Sequence, residues 1–574
     1  MHHNAVARTH RAFRLRAVLF DFDGTLTRPG ALDFAAVKRE VGCPPDRYVL
    51  EWVQALPLGA RRTAALAALE RFELAGAAAS EPNQGAEDVV RRLRALGLRV
   101  GVLTRNGLPA VECALEHFVH LGLADFDVIV TRGDEVRPKP AADGVLHAAQ
   151  AMGATAAETL MVGDYLLDME AGHAAGAVTA YLTNGRAGPR EGGVTRAPKA
   201  GGDVDDRGCP GGAACDFVVH TLAELDAVVR LGLPLLPGKL PNDLLARHLE
   251  AVAPGDPAVL VSAGVGEDVA ALDLSGLEVL VAHGDPITLA SAQLARFAVL
   301  VNANDIATSG GEPRWLLSTV LLPEGTTPSE ALALLAGIAD EAAEQGIAVV
   351  GGHTEVSDAV TRPVVSATLL GTVGRAGLRD KRAVLPGDVV ILTKGLAVEG
   401  TALLAQELGE RLRALGMSVA ELEACARLLD RVSVVPEARI ARGYAGVRAL
   451  HDVTEGGLAT ALRELAAAGG HAITVHRERI PVLPETARVC ALLQAEPLGL
   501  IGSGSLLVCC RPDEAGPLLN ALRIAGIDAA AIAEVGAGDA DGGTEVIALD
   551  RGRPAAWPEF TVDEAARLLA AQAR

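Results

Sequence analysis

Five short apolar runs, separated by stretches of helical periodicity, occupy the first 185 residues of the chain. Each run is long enough for one buried strand and ends at or beside Gly, Asp or Thr. Strands joined through helices form a parallel sheet, and such sheets bind ligands at the carboxyl ends of their strands. We therefore predict a doubly wound α/β sheet. The predicted strands are Ala17–Phe20, Leu98–Thr104, Asp127–Val130, Thr159–Val162 and Val178–Leu182.

Segments without this alternation of apolar runs and helical stretches interrupt the pattern and follow it. Residues 28–85 have helical periodicity and predict a small cap over the carboxyl edge of the sheet. Residues 185–214 are rich in Gly, Pro, Arg and Asp and predict a long loop before one last strand and helix. Residues 1–14 predict a disordered lead, and the prolines within 231–242 predict a linker. The first domain is thus expected to span residues 15–230.

From residue 243 onward, β-type runs mix with Ala-rich helical stretches such as Ser329–Gln345. This mixture predicts an α+β module. We expect it to consist of two subdomains, 243–375 and 376–574. The predicted strands are Val279–Ala282, Val364–Leu369, Val389–Leu392 and Ser505–Cys510.

The formal net charge of −20 excludes some classes of partner. An acidic surface repels nucleic acid and anionic membranes, so neither is expected as a partner. No apolar run is long enough to cross a bilayer, and no export signal follows the basic N-terminus. We therefore expect a cytoplasmic protein.

Eight cysteines are scattered along the chain, and none forms a Cys-X-X-Cys pair. This spacing disfavours zinc and a disulfide framework and predicts reduced thiols. Cys209 and Cys215 bound a Gly-rich stretch, for which a metal or redox role is the minor alternative.

The segment Asp21-Phe-Asp-Gly-Thr-Leu-Thr27 directly follows the first predicted strand. Its carboxylates, Asp21 and Asp23, can face one ligand if the second lies in the turn, and Gly24 permits a tight turn. One carboxylate can then attack phosphorus while the other protonates the leaving oxygen. An Asp-rich turn without chemistry is the alternative.

Two later turns carry groups that bind phosphate. Thr104 offers a hydroxyl at the end of the second predicted strand, and Lys139 places a cation in a turn between two prolines. Arg105 and Asn106 follow Thr104 directly. As loop residues, these two either contact the substrate or have no part in the chemistry.

Asp164 and Asp168 follow the fourth predicted strand and supply a second pair of carboxylates. Carboxylates beside a phosphate require a counter-charge. Mg²⁺ is the hard cation that prefers oxygen ligands, so we expect it at this edge of the sheet.

In this order, the four segments resemble the phosphatase branch of the haloacid dehalogenase superfamily over about residues 15–230. The resemblance implies that Asp21 is the nucleophile, that Asp23 is the general acid and base, and that Thr104 and Lys139 hold the phosphoryl oxygens. It also implies a small phosphorylated metabolite as substrate. The implied Mg²⁺ ligands are Asp21, Asp164, Asp168 and the backbone carbonyl of Asp23.

In the second half of the chain, isolated Asp residues recur beside glycines. Glycines let the backbone approach phosphates and carboxylates hold metal ions, so the pattern suits a polyphosphate with two or more Mg²⁺ ions. No Walker A motif is present, which excludes a P-loop. Each segment taken alone is also consistent with an ordinary turn. The segments are Gly264–Asp268, His283–Pro286, Asn302–Asp305, Gly351–Glu355 and His451–Leu458.

Taken in order, these segments resemble the aminoimidazole-ribonucleotide synthetase superfamily over about residues 243–550. They are most similar to its group of hydrogenase maturation factors and thiamine-monophosphate kinases. The resemblance implies ATP and Mg²⁺ as cofactors and a homodimer with ATP near the subunit interface. It implies metal or phosphate contacts for Asp268, Asp285 and Asp305. The residues implied for nucleotide contact are Asn304, Gly351, Gly352, Lys394 and Asp452.

Three departures from this resemblance bear on the chemistry. The maturation factor carries its carbamoyl group on a C-terminal cysteine, whereas no cysteine follows Cys510 here. The kinase pattern has Asp where this chain has His353, and the first acidic position of the Gly-rich turn is Glu267. Carbamoyl dehydration is therefore not expected, and kinase chemistry and the number of metal ions stay open.

The whole sequence predicts a Mg²⁺-dependent phosphatase fused to an ATP-using domain that phosphorylates or activates an oxygen of an acid, amide or alcohol. The first alternative is a hydrogenase-maturation or purine-pathway enzyme with an accessory phosphatase. The second alternative is a non-catalytic module that senses ATP.

Overall fold

The described residues of the computed structural model fall into two compact units. Unit 1 is the described part of residues 1–236 with 324–333, and unit 2 is the described part of 237–323 and 334–574. Most of the predicted lead, nearly all of the predicted loop at 185–214, and Asp268 lie outside the described residues. The structure describes residues 12–31, 33–185, 215–236, 238–252, 256–261, 271–276, 279–287, 293–536 and 544–572.

Unit 1 contains a six-stranded parallel sheet in the order β3-β2-β1-β4-β5-β6. Every residue of β1 and β4 is buried, as is typical of central strands covered on both faces. The predicted doubly wound sheet is confirmed. The strands are β1 Ala17–Phe20, β2 Arg99–Leu103, β3 Val128–Val130, β4 Thr159–Gly163, β5 Val178–Leu182 and β6 Phe217–Val219.

The predicted cap consists of the first three helices of unit 1. These helices bury Val37, Val53 and Leu69 in a core of their own. Helices α4, α6 and α7 pack against strands of the sheet instead. The helices are α1 Phe34–Val41, α2 Val49–Ala55, α3 Ala60–Ala78, α4 Ala86–Ala95, α5 Leu108–Leu115, α6 Asp143–Ala151, α7 Leu166–Ala175 and α8 Leu225–Gly232.

Unit 2 has the predicted α+β architecture, with two larger sheets. The first has the strand order β10-β13-β11-β12-β7 and the second β15-β17-β14-β18-β16-β19-β20, while β8 pairs with β9. The strands are β7 Gly238–Lys239, β8 Val259–Val261, β9 Ala271–Leu272, β10 Val279–Ile287, β11 Glu312–Leu322, β12 Ala348–Val356, β13 Val364–Val373, β14 Val389–Thr393, β15 Val447–Asp452, β16 Ile473–His476, β17 Leu506–Cys510, β18 Ala529–Val535, β19 Val546–Asp550 and β20 Arg553–Ala555.

Helices of unit 2 pack against its second sheet in a core where Leu392, Leu462 and Leu507 are fully buried. Strand β7 and the end of α8 lie within residues 231–242, which the sequence predicts as a linker. Among the described helices, none is long and apolar enough to cross a membrane. Helix α11, Pro328–Glu344, begins in the residues assigned to unit 1 and ends in those of unit 2. The other helices are α9 Asn242–Ala251, α10 Leu294–Thr308, α12 Val398–Glu407, α13 Gly409–Ala414, α14 Val419–Ala426, α15 Val435–Arg442, α16 Gly457–Gly469, α17 Pro484–Leu493, α18 Pro512–Ile524 and α19 Glu564–Gln572.

Cys215 departs from the prediction of reduced thiols, because it is disulfide-bonded. Cys209 lies outside the described residues. The other described cysteines are free, as predicted. Burial raises the pKa of Cys490, Cys509 and Cys510, so these thiols stay protonated and unreactive.

Candidate active sites

Asp21 lies at the carboxyl end of the central strand β1, where its backbone N–H donates to the carbonyl of Val162 on β4 at 2.8 Å. The chain then turns at Gly24, whose φ of +81° lies in the left-handed region that favours glycine. A Cβ at Gly24 would overlap the carboxylate of Asp164. The missing side chain therefore lets the loops after β1 and β4 approach each other.

Lys139 connects the first carboxylate to the acidic pair after β4. Its buried Nζ donates to Oδ1 of Asp21 and lies 2.6 Å from Oδ1 of Asp168. Burial alone would lower the pKa of Lys139, but the two carboxylates raise it to about 12, so the lysine is charged. Three residues predicted from separate segments thus lie in direct contact.

Asp21, Asp164 and Asp168 form a candidate metal site. One ligand atom of each lies within 4.8 Å of the others, and no further cluster of three or more such residues occurs in the described part of the chain. Gly163 leaves room for this arrangement, because a Cβ there would overlap Asp168. Carboxylate oxygens are the ligands that Mg²⁺ prefers, so the residues present fit the implied ion.

Asp23 lies in the turn after Asp21 and accepts a hydrogen bond from Nδ2 of Asn106 at 2.6 Å. Burial of its carboxyl group raises the pKa to about 7, although the residue as a whole has solvent-exposed surface. The charge of Asp21 acts in the same direction, since two neighbouring carboxyls do not ionise easily together. A carboxyl that titrates near neutrality can both give and take a proton.

Thr104 is buried at the end of β2, beside the strand that carries Asp21. Its backbone N–H donates to the carbonyl of Val130 at 2.9 Å, and its Oγ1 accepts from the N–H of Asn106 at 3.1 Å. Thr104 and Lys139 line the same cavity. A hydroxyl and an ammonium group, both of which can bind phosphoryl oxygens, therefore line one cavity.

Two asparagines that the sequence did not assign hold the turn after Asp21. Asn184 donates from Nδ2 to the carbonyl of Gly24 at 2.7 Å, and Asn83 donates to the carbonyl of Thr25 at 2.9 Å. The two asparagines also bond to each other at 2.9 Å. Asn184 lies just past the end of β5, so the rule that finds Thr104 could have found it. Asn83 follows the cap helices and has no comparable local pattern.

Two ion pairs join the cap to loops of the sheet. Glu51 on α2 lies 2.5 Å from Nη2 of Arg105. On α3, the buried Glu73 pairs with Arg132 and accepts the backbone N–H of Gly107 at 3.2 Å. The cap is therefore bound to the edge of the sheet that carries the site.

Three acidic residues predicted for the second site influence one another in unit 2. Asp285 is on β10, Asp305 is on α10 and Asp452 ends β15. Burial and then Asp285 raise the pKa of Asp305 to about 6, and burial and then Asp305 raise that of Asp452. His283 Nε2 lies 3.1 Å from Oδ2 of Asp305. Their ligand atoms do not form a compact group of three, as far as the structure describes this region.

Asn304 and Lys394, expected to contact a nucleotide, are buried and hold the backbone of Arg431–Val434. Asn304 makes two hydrogen bonds to this segment, at 3.0 and 2.8 Å. Lys394 donates to two of its carbonyls at 2.8 and 2.7 Å and pairs with Glu437 at 2.6 Å. All three donors of the ammonium group are thereby used. These contacts give both side chains a structural role, and their contact with a nucleotide stays a prediction.

Gly351 and Gly352 lie on β12, which pairs in parallel with β11. A Cβ at Gly352 would overlap the backbone of Ser318, so close strand pairing accounts for this glycine without a nucleotide. On the same strand, His353 Nε2 lies 3.1 Å from Oε2 of Glu355. Nucleotide contact at Gly351 and Gly352 stays a prediction.

Family models match three consecutive parts of the chain. Residues 15–176 match the haloacid dehalogenase-like hydrolases. Residues 257–373 match the N-terminal domain of AIR synthase related proteins, and residues 386–544 match their C-terminal domain.

Individual relatives agree with these models. Carbamoyl dehydratase HypE of Escherichia coli is 31% identical over 288 residues, which cover 47% of this chain and 81% of that protein. An uncharacterised hydrolase of Saccharomyces cerevisiae is 34% identical over 172 residues, covering 30% of this chain and 78% of that protein. A crystal structure of E. coli HypE has a TM-score of 0.48 at 26% identity, covering 57% of this chain and 98% of that one. The chain therefore belongs to the haloacid dehalogenase-like hydrolases in its first part and to the AIR synthase related proteins in its second.

Proposed function

We propose that unit 1 is a Mg²⁺-dependent phosphatase that hydrolyses a small phosphate ester through an aspartyl-phosphate on Asp21. The observation that carries this proposal is the contact of the buried Lys139 with both Asp21 and Asp168. The ammonium group lies against the carboxylate that would act as the nucleophile and offsets its negative charge. Asp23 lies close by with a pKa of about 7, which suits a general acid and base.

In the first step, a carboxylate oxygen of Asp21 forms a bond to phosphorus and the ester P–O bond breaks. Asp23 gives its proton to the departing oxygen, so that a neutral alcohol leaves. In the second step, Asp23 takes a proton from water, whose oxygen attacks phosphorus and releases Asp21 and inorganic phosphate. Lys139 and the hydroxyl of Thr104 hold the phosphoryl oxygens and offset their charge.

Asp21, Asp164 and Asp168 would hold Mg²⁺ together with the backbone carbonyl of Asp23. When bound, the ion supplies positive charge that offsets the repulsion between the phosphoryl group and the Asp21 carboxylate. Gly24 and Gly163 support this assignment, because side chains at either position would fill the space of the ligands.

Phosphate release from a panel of small esters with Mg²⁺ tests the proposal in the wild type and in Asp21→Asn. We expect the variant to lose all turnover, since a carboxamide does not attack phosphorus. Asp46→Asn changes an exposed residue of the cap in the same way and serves as the matched control. Wild-type turnover by a folded Asp21→Asn protein would contradict the proposal.

We also propose that unit 2 binds ATP with Mg²⁺ and activates an oxygen of an acid, amide or alcohol. Asp285, Asp305 and Asp452 favour this proposal. Their negative charges repel one another, and a bound cation would offset that repulsion. Groups of the nucleotide, and of a second subunit in a homodimer, would complete the ligand set.

Titration calorimetry with ATP and Mg²⁺ tests this second proposal. We expect Asp305→Asn to weaken binding at least tenfold, the effect of losing one close charge contact of about 1.4 kcal/mol. Asp358→Asn, at an exposed position of the same unit, is the control. ADP release on addition of candidate acids or alcohols separates catalysis from sensing, and unchanged binding by Asp305→Asn would oppose the proposal.

A further inference from the structure

A cavity between the cap and the sheet of unit 1 has a cationic lining. Leu50 and Gln54 contribute from helix α2, and Thr104 contributes from the end of β2. No acidic side chain is among the described residues that line it. Its cationic residues are Arg105, Arg132, Arg137 and Lys139.

All four cations pair with carboxylates, and for three of them this pairing explains why a charged side chain lies there. Lys139 pairs with the carboxylates of the phosphate site. Arg132 pairs with Glu73, and both side chains are largely buried, which makes this pair part of the packing. Arg137 is mostly exposed and makes two hydrogen bonds to Asp143, at 2.5 and 2.7 Å.

Arg105 differs from the other three. All of its hydrogen bonds within the described chain leave from Nη2, which donates to the two carboxylate oxygens of Glu51 at 2.6 and 2.5 Å. Nε and Nη1 make none, although the side chain is only 22% exposed. The ring of Tyr48 lies 5.8 Å from the guanidinium carbon and helps to fix its plane. Arg105 therefore offers donors that the protein itself does not use, one residue from Thr104.

We propose that the leaving group of the substrate carries a second anionic group, a carboxylate or another phosphate, and that this group binds Arg105. This inference rests on the proposed phosphatase function of unit 1. Guanidinium groups bind carboxylates and phosphates through adjacent N–H donors, and Glu51 already makes such a contact on one nitrogen. An ester of this class would span the cavity, with its phosphoryl group at Thr104 and Lys139 and its second anion at Arg105.

Hydrolysis of two ester pairs, each differing in one charged group, tests the inference. Phosphoglycolate is compared with its neutral amide, glycolamide phosphate, and propanediol bisphosphate is compared with hydroxypropyl phosphate. For the wild type, we expect KM of at least one charged ester to lie about ten- to hundredfold below that of its neutral partner, the range of a charge-assisted hydrogen bond. The pair that responds identifies the anion. Arg105→Ala is expected to raise KM for the charged ester towards the neutral value and to change KM for the neutral ester much less.

Two further variants and three readings complete the test. Arg105→Lys keeps the positive charge but lacks the paired N–H donors of the guanidinium, so we expect it to restore part of the preference for the charged ester. Arg61→Ala, at an exposed position on α3, is expected to leave KM for both esters unchanged. A cooperative thermal unfolding transition shows that Arg105→Ala folds. Equal KM values for charged and neutral esters in the wild type, or an equal change for both in Arg105→Ala, overturns the inference and leaves the phosphatase proposal standing. Absence of turnover of every ester by the wild type overturns both.

Discussion

Asp21 and Asp23 lie two positions apart in one turn, yet the proposed reaction places opposite demands on their carboxyls. Asp21 must act as a carboxylate nucleophile, and it accepts a hydrogen bond from the buried ammonium group of Lys139. Asp23 must begin with a proton, and the protein around it raises its pKa to about 7. One residue type thus serves two roles because the two environments differ.

Replacement of Asp23 by Asn separates the two steps of the reaction. The amide can neither protonate the leaving oxygen nor activate water, so we expect kcat to fall by about two to four orders of magnitude. Esters with a good leaving group, such as a nitrophenyl ester, require less protonation and lose less in the first step. Acid-quenched samples are then expected to contain phosphate bound to the protein, whereas Asp21→Asn binds none. Wild-type kcat in Asp23→Asn would refute the role of this residue.

Gly24→Ala tests the close approach of the two loops at the metal site. The new Cβ overlaps Asp164 and the positive φ is strained, so we expect lower thermal stability and weaker activation by Mg²⁺. Gly153→Ala is the matched control, because Gly153 also has a positive φ of +68° but has open space around it. That control is expected to lose only about 1 kcal/mol and to respond normally to Mg²⁺. Identical Mg²⁺ dependence in both variants would show that the overlap is harmless.

Helix α3 of the cap depends on the ion pair between Glu73 and Arg132. Their side chains are 3% and 11% exposed, so removal of one partner leaves a buried, uncompensated charge. We expect Glu73→Gln to destabilise unit 1 by roughly 3 kcal/mol, measured by thermal unfolding. Glu40→Gln breaks the exposed pair of α1 and α3 with Arg71 and is expected to cost less than about 1 kcal/mol. Equal shifts in melting temperature for both variants would contradict this difference.

Helix α12 contains a buried carboxyl, Glu399, whose Oε2 has no hydrogen-bond partner among the described residues. Burial raises its pKa from 4.5 to about 7, with Asp563 acting in the same direction and Ser503 opposing it. The folded state therefore holds the proton more tightly than the unfolded state. The contribution of Glu399 to stability is greatest below pH 4.5 and declines as the pH rises towards 7.

Glu399→Gln is expected to remove this decline. Above pH 7 the variant gains up to about 3 kcal/mol over the wild type, and the gain disappears as the pH approaches 4.5. Melting temperatures measured between pH 5 and 8 report the change in slope, and Glu410→Gln at an exposed position is the control. A loss of stability that is the same at every pH would show that Glu399 acts through packing alone.

Elements and sites with local patterns could be predicted, and those that depend on distant partners could not. Strand β4 is buried on all sides and leaves a continuous apolar run, which the sequence displays directly. The partners Glu73 and Arg132 are 59 residues apart, and no local pattern links them. Asn304 and Lys394 stand beside acidic or glycine residues, but no local pattern indicates that their side chains bond to the backbone of Arg431–Val434.

At the scale of the whole molecule, each proposed site takes its described residues from one compact unit. Asp21 and its partners belong to unit 1, and Asp285, Asp305 and Asp452 belong to unit 2. We therefore expect Asp21→Asn to abolish ester hydrolysis with unchanged ATP affinity, and Asp305→Asn to weaken ATP binding with unchanged ester hydrolysis. Both assays on both variants check this independence. A change in the distant activity would instead indicate that the two units are coupled.

The parallel order of the sheet in unit 1 also affects how the chain is made. Strand β1 pairs with β2 and β4, so that Ala17 lies beside Arg99 and Thr159. Strand β1 therefore acquires its second neighbour only after some 140 further residues have been added, and contacts of such long range form slowly. Until then, an apolar strand with unpaired edges is exposed to other nascent chains. Fragments that end before β4 are consequently expected to aggregate.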